Sequence, residues 1–249
     1  IGRKILIDNK EVSLVGIAKG SGMISPNMAT MLAFIFTDAL IDKTVLQTLL
    51  NIELRNSFNA ITVDSDTSTN DTVLAFATGK AMEDKNERII SRTSDPRLIK
   101  FREAFSEVMH DLAIQIVKDG EGAKKLIEIK VSGAENTSSA KKIARSIADS
   151  PLVKTAVGAS DPNWGRIIMA IGKVKEKINP KKISLNIGSN TIIKNGEISR
   201  SYSESRTKKY MKGKNILLDI NLGLGNSFSQ IWTCDLTEDY IKINADYRS

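Results

Sequence analysis

Residues 30–39 read TMLAFIFTDA, a nearly continuous apolar run that contains two phenylalanines. A run of this length and aromatic content favours a buried strand. Two shorter runs of alternating apolar residues, 1–7 and 11–18, precede it and are separated by the turn sequence Asp8-Asn9-Lys10. The sequence therefore predicts a sheet whose strands begin near the start of the chain.

Two helices are predicted after this strand. Asp42 caps the first helix, in which apolar side chains recur every four residues from Leu46 to Phe58. Asp95 and Pro96 open a second, longer helix that ends at residues 119–120.

The other predicted elements mix strands and helices without strict βαβ alternation, which indicates an α+β fold with a boundary near residues 121–125. Strands are predicted at 61–64, 72–78, 126–131, 183–187, 191–193, 216–222 and 227–234. Helices are predicted at 138–148, 164–171, 203–211 and from 237 toward 247.

Composition excludes several classes of protein. Of the 249 residues, 41% are hydrophobic and 26% are charged, which is typical of a globular protein. No apolar run reaches the roughly 18 residues of a membrane span. Cys234 and His110 are the only cysteine and histidine, which argues against a zinc site and against Ser-His-Asp catalysis. The net charge of +7 comes from scattered basic residues, and only 5% of residues are aromatic, so nucleic-acid binding is not expected.

The densest polar stretch is residues 64–71, DSDTSTND, between two predicted strands. It can form a hydrogen-bonded turn, the wall of an active site, or a metal site. The metal interpretation has the weakest support, because the glycine and the final glutamate of a calcium loop are missing. At residues 161–166, DPNWGR, Trp164 can be a buried anchor with Asp161 as a helix cap.

Five uncommon runs occur in one order and reach the last residue. They are AKGSGM at 18–23 with PNMATML at 26–32, ITVD at 61–64 through DT at 71–72, DGEGA at 119–123, DPNWGR at 161–166, and NADYRS at 244–249. With these runs the whole chain resembles the C-terminal portion of the ArgJ family, the ornithine acetyltransferases or glutamate N-acetyltransferases of arginine biosynthesis, and it includes the whole β subunit.

The resemblance implies an α/β/β/α layered sandwich (DmpA/ArgJ-like) with a smaller C-terminal α+β domain. Residues 1–29 would be the tail of the α segment, residues 30–123 the catalytic layered domain, and residues 124–249 the smaller domain, whose tail returns to the active site. It also implies an assembly of two α and two β subunits in the cytoplasm, with no membrane or nucleic-acid partner.

Members of this family cut themselves at an Ala-Thr bond, which corresponds here to Ala29–Thr30. Thr30 would then be the catalytic nucleophile. A threonine hydroxyl needs a base, and the α-amino group freed by cleavage can serve, because it titrates near ~7.7–8. The implied reaction moves an acetyl group from N2-acetylornithine to glutamate through an acetyl-Thr30 intermediate. It needs no metal and no cofactor, although some relatives also use acetyl-CoA as a co-substrate.

The resemblance assigns substrate contacts to Lys19, Thr30, Glu121, Asn244 and Ser249. A lysine suits a substrate carboxylate, and a glutamate suits the ammonium of ornithine. The family's oxyanion hole, a Thr-Gly pair, belongs to the α segment upstream, so we expect this chain alone to be inactive.

Ser65 stands where the family usually has glycine, which predicts a different backbone conformation at that turn. Two other functions stay open. One is a self-cleaving aminopeptidase or amidase of the related fold, in which water replaces glutamate as the acceptor. The other is a basic binding module without catalytic activity.

Overall fold

The computed structural model of the chain describes residues 1–20, 31–66, 70–83 and 88–246. They form two compact units, one of Ile1–Ile61 and Asp66–Ile116, the other of Thr62–Ser65 and Val117–Ser249. Each unit has its own sheet with helices, which confirms the predicted α+β class. The predicted domains 1–29, 30–123 and 124–249 stay a prediction. No helix among the described residues is long and apolar enough to cross a membrane.

The first unit contains a four-stranded sheet in the order β1-β2-β3-β4. β3 and β4 are parallel and the other neighbours are antiparallel. Its elements are β1 (Gly2–Ile7), β2 (Lys10–Lys19), β3 (Leu32–Thr37), α1 (Lys43–Glu53), β4 (Thr72–Ala77) and α2 (Leu98–Lys118), with 3-10 turns at Leu54–Asn56, Phe58–Ala60 and Lys80–Met82.

Local signals explain most of these elements. Asp8 and Asn9 adopt positive φ angles of 48° and 65°, the hairpin geometry expected of Asp-Asn between two strands. Asp42 caps α1 by accepting a hydrogen bond from the backbone N–H of Thr44 at 2.8 Å. The helix stops at Glu53 rather than continuing to Phe58, because the chain tightens there into two 3-10 turns.

The two faces of the first sheet differ. Helix α2 packs against one face at Gly16, where an added Cβ would lie 2.7 Å from side-chain atoms of Val108 and Leu112. The other face, here called the bare sheet face, carries large apolar side chains that are 42–56% exposed. These side chains are neighbours across the strands. In one row, Val15 pairs with Phe36, which pairs with Phe76. In the next row, Ile17 and Leu74 both pair with Phe34.

The second unit contains a six-stranded mixed sheet in the order β10-β5-β9-β6-β7-β8. Only β5 and β9 are parallel neighbours, and helices cover one face to enclose an aliphatic core. Its elements are β5 (Leu126–Ala134), α3 (Thr137–Ala148), α4 (Pro151–Gly158), α5 (Trp164–Gly172), β6 (Ser184–Ile187), β7 (Asn190–Lys194), β8 (Glu197–Ile198), α6 (Glu204–Met211), β9 (Asn215–Asn221), β10 (Ser227–Cys234) and α7 (Glu238–Ala245), with a 3-10 turn at Pro180–Lys182.

Three expectations need correction here. Residues 61–64 form no strand; the backbone N–H of Thr62 donates to the carbonyl of Trp232 in β10, and the carbonyl of Val63 accepts from the ammonium of Lys154 in α4. Helix α4 was not expected, although Ser150 and the proline at its first position are ordinary start signals. Asp161 does not cap α5; Asn163 is the cap residue, and its side-chain amide donates to the Asp161 carboxylate at 3.1 Å.

Candidate functional site

The predicted cleavage bond cannot be placed, because Ala29 and Thr30 lie outside the described residues, as does Ser249. The next residue, Met31, is buried and firmly held. Its backbone N–H donates to the Asp71 carboxylate at 2.6 Å, and its carbonyl accepts from the backbone N–H of Thr72 at 2.9 Å. Asp71, the last residue of the polar stretch, thus fixes the chain at Met31.

Lys19 lies at the same end of the first sheet. It is the last residue of β2, is exposed, and pairs with Leu32 at the start of β3. Because side chains alternate along a strand, Lys19 shares the bare sheet face with Ile17. The substrate contact that the resemblance assigns to Lys19 stays a prediction.

The turn that carries Glu121 is shaped by two glycines. Gly122 has a φ of 69°, and a Cβ there would lie 2.5 Å from the backbone nitrogen of Tyr240 in α7. A Cβ on Gly120 would lie 3.0 Å from the sulfur of Cys234 and 3.1 Å from Val63. Glycine is required at Gly122, because the turn lies directly against the backbone of α7, whereas a side chain at Gly120 would need its neighbours to shift by a few tenths of an ångström.

Glu121 and Asn244, which are 123 residues apart in sequence, meet in the second unit. The side-chain amide of Asn244 donates to Oε2 of Glu121 at 2.7 Å and to the carbonyl of Tyr240 at 3.0 Å. The pair is solvent-accessible. A carboxylate that is held in place by an amide but still reached by solvent can bind an ammonium group.

Further bonds fasten the same turn to the chain around α7. The hydroxyl of Thr237, the residue before α7, donates to the carbonyl of Gly122 at 2.7 Å and makes no capping bond to the helix. The Lys124 ammonium lies 2.8 Å from the Asp239 carboxylate. This contact raises the pKa of Lys124 and lowers the pKa of Asp239. The last helix is therefore part of the candidate site.

The segment 62–65, which leads into the polar stretch, belongs to the second unit. Thr62 donates its backbone N–H to the carbonyl of Trp232 at 3.0 Å. Burial raises the pKa of Asp149, and a hydrogen bond from the side chain of Thr62 to Asp149 works against this rise. Ser65 has a φ of 69°, so serine adopts a left-handed conformation that suits glycine, and the expected difference from the family's backbone at this turn stays a prediction. Among the described residues, no group of three or more acidic, histidine or cysteine side chains could hold a metal ion.

Comparison with known proteins identifies the family. The family model of the "ArgJ family" matches residues 1–249. The chain belongs to the ArgJ family. The "Arginine biosynthesis bifunctional protein ArgJ" of Caulobacter vibrioides is 51% identical over 98% of this chain, and that of Agrobacterium fabrum is 50% identical over 96%. A crystal structure of the argJ protein from Bacillus halodurans has a TM-score of 0.81 and 44% identity, and covers 88% of this chain and 100% of that chain.

The match to ArgJ confirms the recognised family and the α+β layered fold. The chain spans 60% of the length of the Caulobacter vibrioides ArgJ protein and 57% of that of Agrobacterium fabrum. It corresponds to the C-terminal part of these proteins.

Two residues beside the site were not singled out from the sequence, Asp235 and Lys154. Asp235 is 2% exposed, and its Oδ1 accepts the backbone N–H groups of Lys124 and Lys125 at 2.8 and 2.9 Å. Lys154 is 3% exposed on α4. A lysine within the apolar sequence LVKTAV was the available signal, since a fully buried lysine needs a specific set of acceptors.

Proposed function

We propose that the protein carrying this chain transfers an acetyl group from N2-acetylornithine to glutamate in arginine biosynthesis. The observation that carries this proposal is the match over 98% of the chain, at 51% identity, to a protein named arginine biosynthesis bifunctional protein ArgJ. The exposed Glu121–Asn244 pair, at two positions that the resemblance assigns to substrate binding, supports it independently.

Thr30 is the proposed nucleophile. A water molecule first hydrolyses the peptide bond between Ala29 and Thr30, which leaves a carboxylate on Ala29 and gives Thr30 a free α-amino group. This amine takes the hydroxyl proton while the oxygen attacks the acetyl carbonyl of N2-acetylornithine. The proton passes to the leaving nitrogen as the carbon–nitrogen bond breaks, and ornithine departs. The amino group of glutamate then attacks the acetyl ester, and the hydroxyl of Thr30 is restored.

The proposed substrate contacts divide by charge. Lys19 binds the α-carboxylate of the substrate, and Glu121 binds the side-chain ammonium of ornithine. Asn244 holds the Glu121 carboxylate, and its 2.7 Å hydrogen bond to that group supports this role. Ser249 contributes a contact at the C-terminus. No cofactor takes part, and acetyl-CoA is a possible second acetyl donor whose use a direct assay decides.

The proposed partner is the upstream segment that the longer relatives carry. It covers the bare sheet face, since five large apolar side chains of one unit are 42–56% exposed there and monomeric proteins rarely expose such a cluster. Phe36 and Phe76 stack on this face with ring centroids 5.2 Å apart, which gives a flat surface suited to a second sheet. Two copies of each piece form the proposed assembly, which we place in the cytoplasm.

The first experiment expresses the full-length protein and measures the masses of its pieces under denaturing conditions. We expect two pieces, with the C-terminal one beginning at Thr30. Thr30→Ala should leave a single chain, whereas Thr30→Ser, which keeps a hydroxyl, should still be cut. A folded wild-type protein that stays uncut would remove the amine on which the mechanism depends.

The second experiment incubates the cut protein with N2-acetylornithine, with and without glutamate. Transfer predicts N-acetylglutamate in amounts equal to the ornithine released, and little release without glutamate. Release of acetate at the same rate without glutamate would instead indicate the amidase alternative. Lys19→Ala should raise KM for N2-acetylornithine by about tenfold or more, since it removes a charge-assisted contact.

A further inference from the structure

Lys154 is a buried lysine whose ammonium is fully engaged by uncharged oxygens. Its Nζ donates to the carbonyl of Val63 at 2.7 Å, to the hydroxyl of Thr233 at 2.9 Å and to the carbonyl of Cys234. Three acceptors require three N–H donors, which the ammonium supplies and a neutral amine does not. An apolar side chain at this position would leave buried oxygens without a donor.

The three acceptors come from two segments that are far apart in sequence. Val63 lies in the segment 62–65, which leads into the polar stretch, whereas Thr233 and Cys234 end β10. The backbone of Lys154 adds a fourth bond, because its carbonyl accepts the N–H of Leu236 at 3.3 Å. Lys154 therefore fixes residues 233–236 from the side of α4.

The same residues hold the turn 119–125 from their other side. Asp235 accepts the N–H groups of Lys124 and Lys125 on one oxygen and donates its own N–H to the carbonyl of Lys125 at 3.2 Å. Thr237 donates to Gly122, the neighbour of Glu121. These hydrogen bonds and the backbone of residues 233–237 thus connect Lys154 with Gly122, the neighbour of Glu121.

We propose that Lys154 is a positioning residue for the Glu121–Asn244 pair, which it fixes by holding residues 233–237 and the segment 62–65 at set places in the second unit. The inference rests on the proposed function for its meaning in catalysis. Lys154 does not touch the substrate in this role. It affects how tightly Glu121 binds the ammonium of ornithine, and not the chemistry at Thr30.

The test compares Lys154→Met with Lys141→Met in the full-length protein. Methionine keeps the length and removes the donors, and Lys141 is an exposed lysine on α3. For Lys154→Met we expect amide hydrogen exchange in residues 119–125 to accelerate about tenfold or more, because the bonds to Asp235 loosen. We expect KM for N2-acetylornithine to rise by about tenfold with kcat within about twofold. Lys141→Met should change neither.

Unchanged exchange at 119–125 in folded Lys154→Met would overturn the proposal, and so would a loss confined to kcat. If Lys154→Met fails to fold, Thr233→Val decides, since it removes one acceptor and keeps the shape of the side chain. In Thr233→Val, amide hydrogen exchange in residues 119–125 should accelerate by about threefold, and no acceleration would again overturn the proposal. A wild-type protein without acetyl transfer would contradict the proposed function, while the exchange measurement would still report on the positioning of the turn.

Discussion

Ser65 adopts a backbone conformation that suits glycine better than serine. Its φ of 69° lies in the left-handed region, where a side chain costs roughly 1–2 kcal/mol. Ser65→Gly removes this strain but makes the unfolded chain more flexible, at a cost of about 0.5–1 kcal/mol. We expect a net gain of about 0.5 kcal/mol in the free energy of unfolding, measured by urea denaturation.

Ser138→Gly is the matched control for this change. Ser138 is exposed in the first turn of α3, where φ is helical. Glycine there should lower the free energy of unfolding by about 0.5 kcal/mol, because serine is the better helix former. Ser65→Gly that destabilises the protein as much as Ser138→Gly does would contradict the strain argument.

The charge of Lys154 makes stability depend on pH in a defined direction. Desolvation lowers the pKa of Lys154 below the ordinary lysine value of 10.5, so just below pH 10.5 the unfolded chain binds more protons at this residue than the folded chain does. Its contribution to the free energy of unfolding therefore rises with pH in that window. We expect the stability of the wild type relative to Lys154→Met to increase as the pH is raised toward 10.

Chemical denaturation at several pH values checks this expectation. Lys141→Met serves as the reference, since Lys141 is exposed on the neighbouring helix α3. The difference between the wild type and this control should not vary over the same range. A difference between the wild type and Lys154→Met that falls with pH would mean that the folded state favours the ammonium over the amine.

At the scale of elements, the packing of the turn 119–125 against α7 depends on a glycine. At Gly122 an added Cβ would meet backbone atoms of α7 at 2.5 and 2.9 Å, and its φ is positive as well. Gly122→Ala should lower the free energy of unfolding by at least about 2 kcal/mol, since backbone cannot move aside as a side chain can. Thermal and urea denaturation measure the loss.

Gly172→Ala gives the comparison within the same unit. Gly172 ends α5, and nothing lies within 4 Å of its added Cβ. We expect this change to be neutral or to stabilise by up to about 1 kcal/mol, because alanine is the better helix former. Equal losses from both substitutions would show that the close approach of α7 to the turn does not contribute to stability.

At the scale of the whole molecule, the bare sheet face should matter for assembly more than for folding of this chain. Ile17 is 56% exposed, so Ile17→Asp should change the chain's own free energy of unfolding by less than about 0.5 kcal/mol. A carboxylate buried against the upstream segment would be costly, so the two pieces should bind each other at least about tenfold more weakly. Native mass spectrometry and size-exclusion chromatography of the cut protein measure this.

Ile198→Asp is the control for the assembly prediction. Ile198 is 58% exposed on β8, in the sheet of the second unit. It should leave the binding of the two pieces unchanged. If Ile17→Asp also leaves binding unchanged, the upstream segment covers some other surface.

Local patterns were sufficient for most elements. The strands β4 and β10 and the helices α3 and α6 follow from alternation or from apolar spacing beside a capping residue, and these signals are contained in a few neighbouring residues. The strand predicted at residues 61–64 is absent, although their apolar sequence suits a strand. Their backbone groups instead bond to Lys154 and Trp232, partners that no local pattern identifies.

By itself, the sequence determined the family, the α+β class, and the chemical types of the candidate site residues, because these depend on residue identity and short-range spacing. Only the tertiary structure decided that Glu121 meets Asn244, that Asp235 and Lys154 support them, and that one sheet face is bare. The physical reason is that each of these depends on bonds or contacts between segments distant in sequence. Such contacts form only after the whole chain has packed, when buried donors and acceptors must find partners.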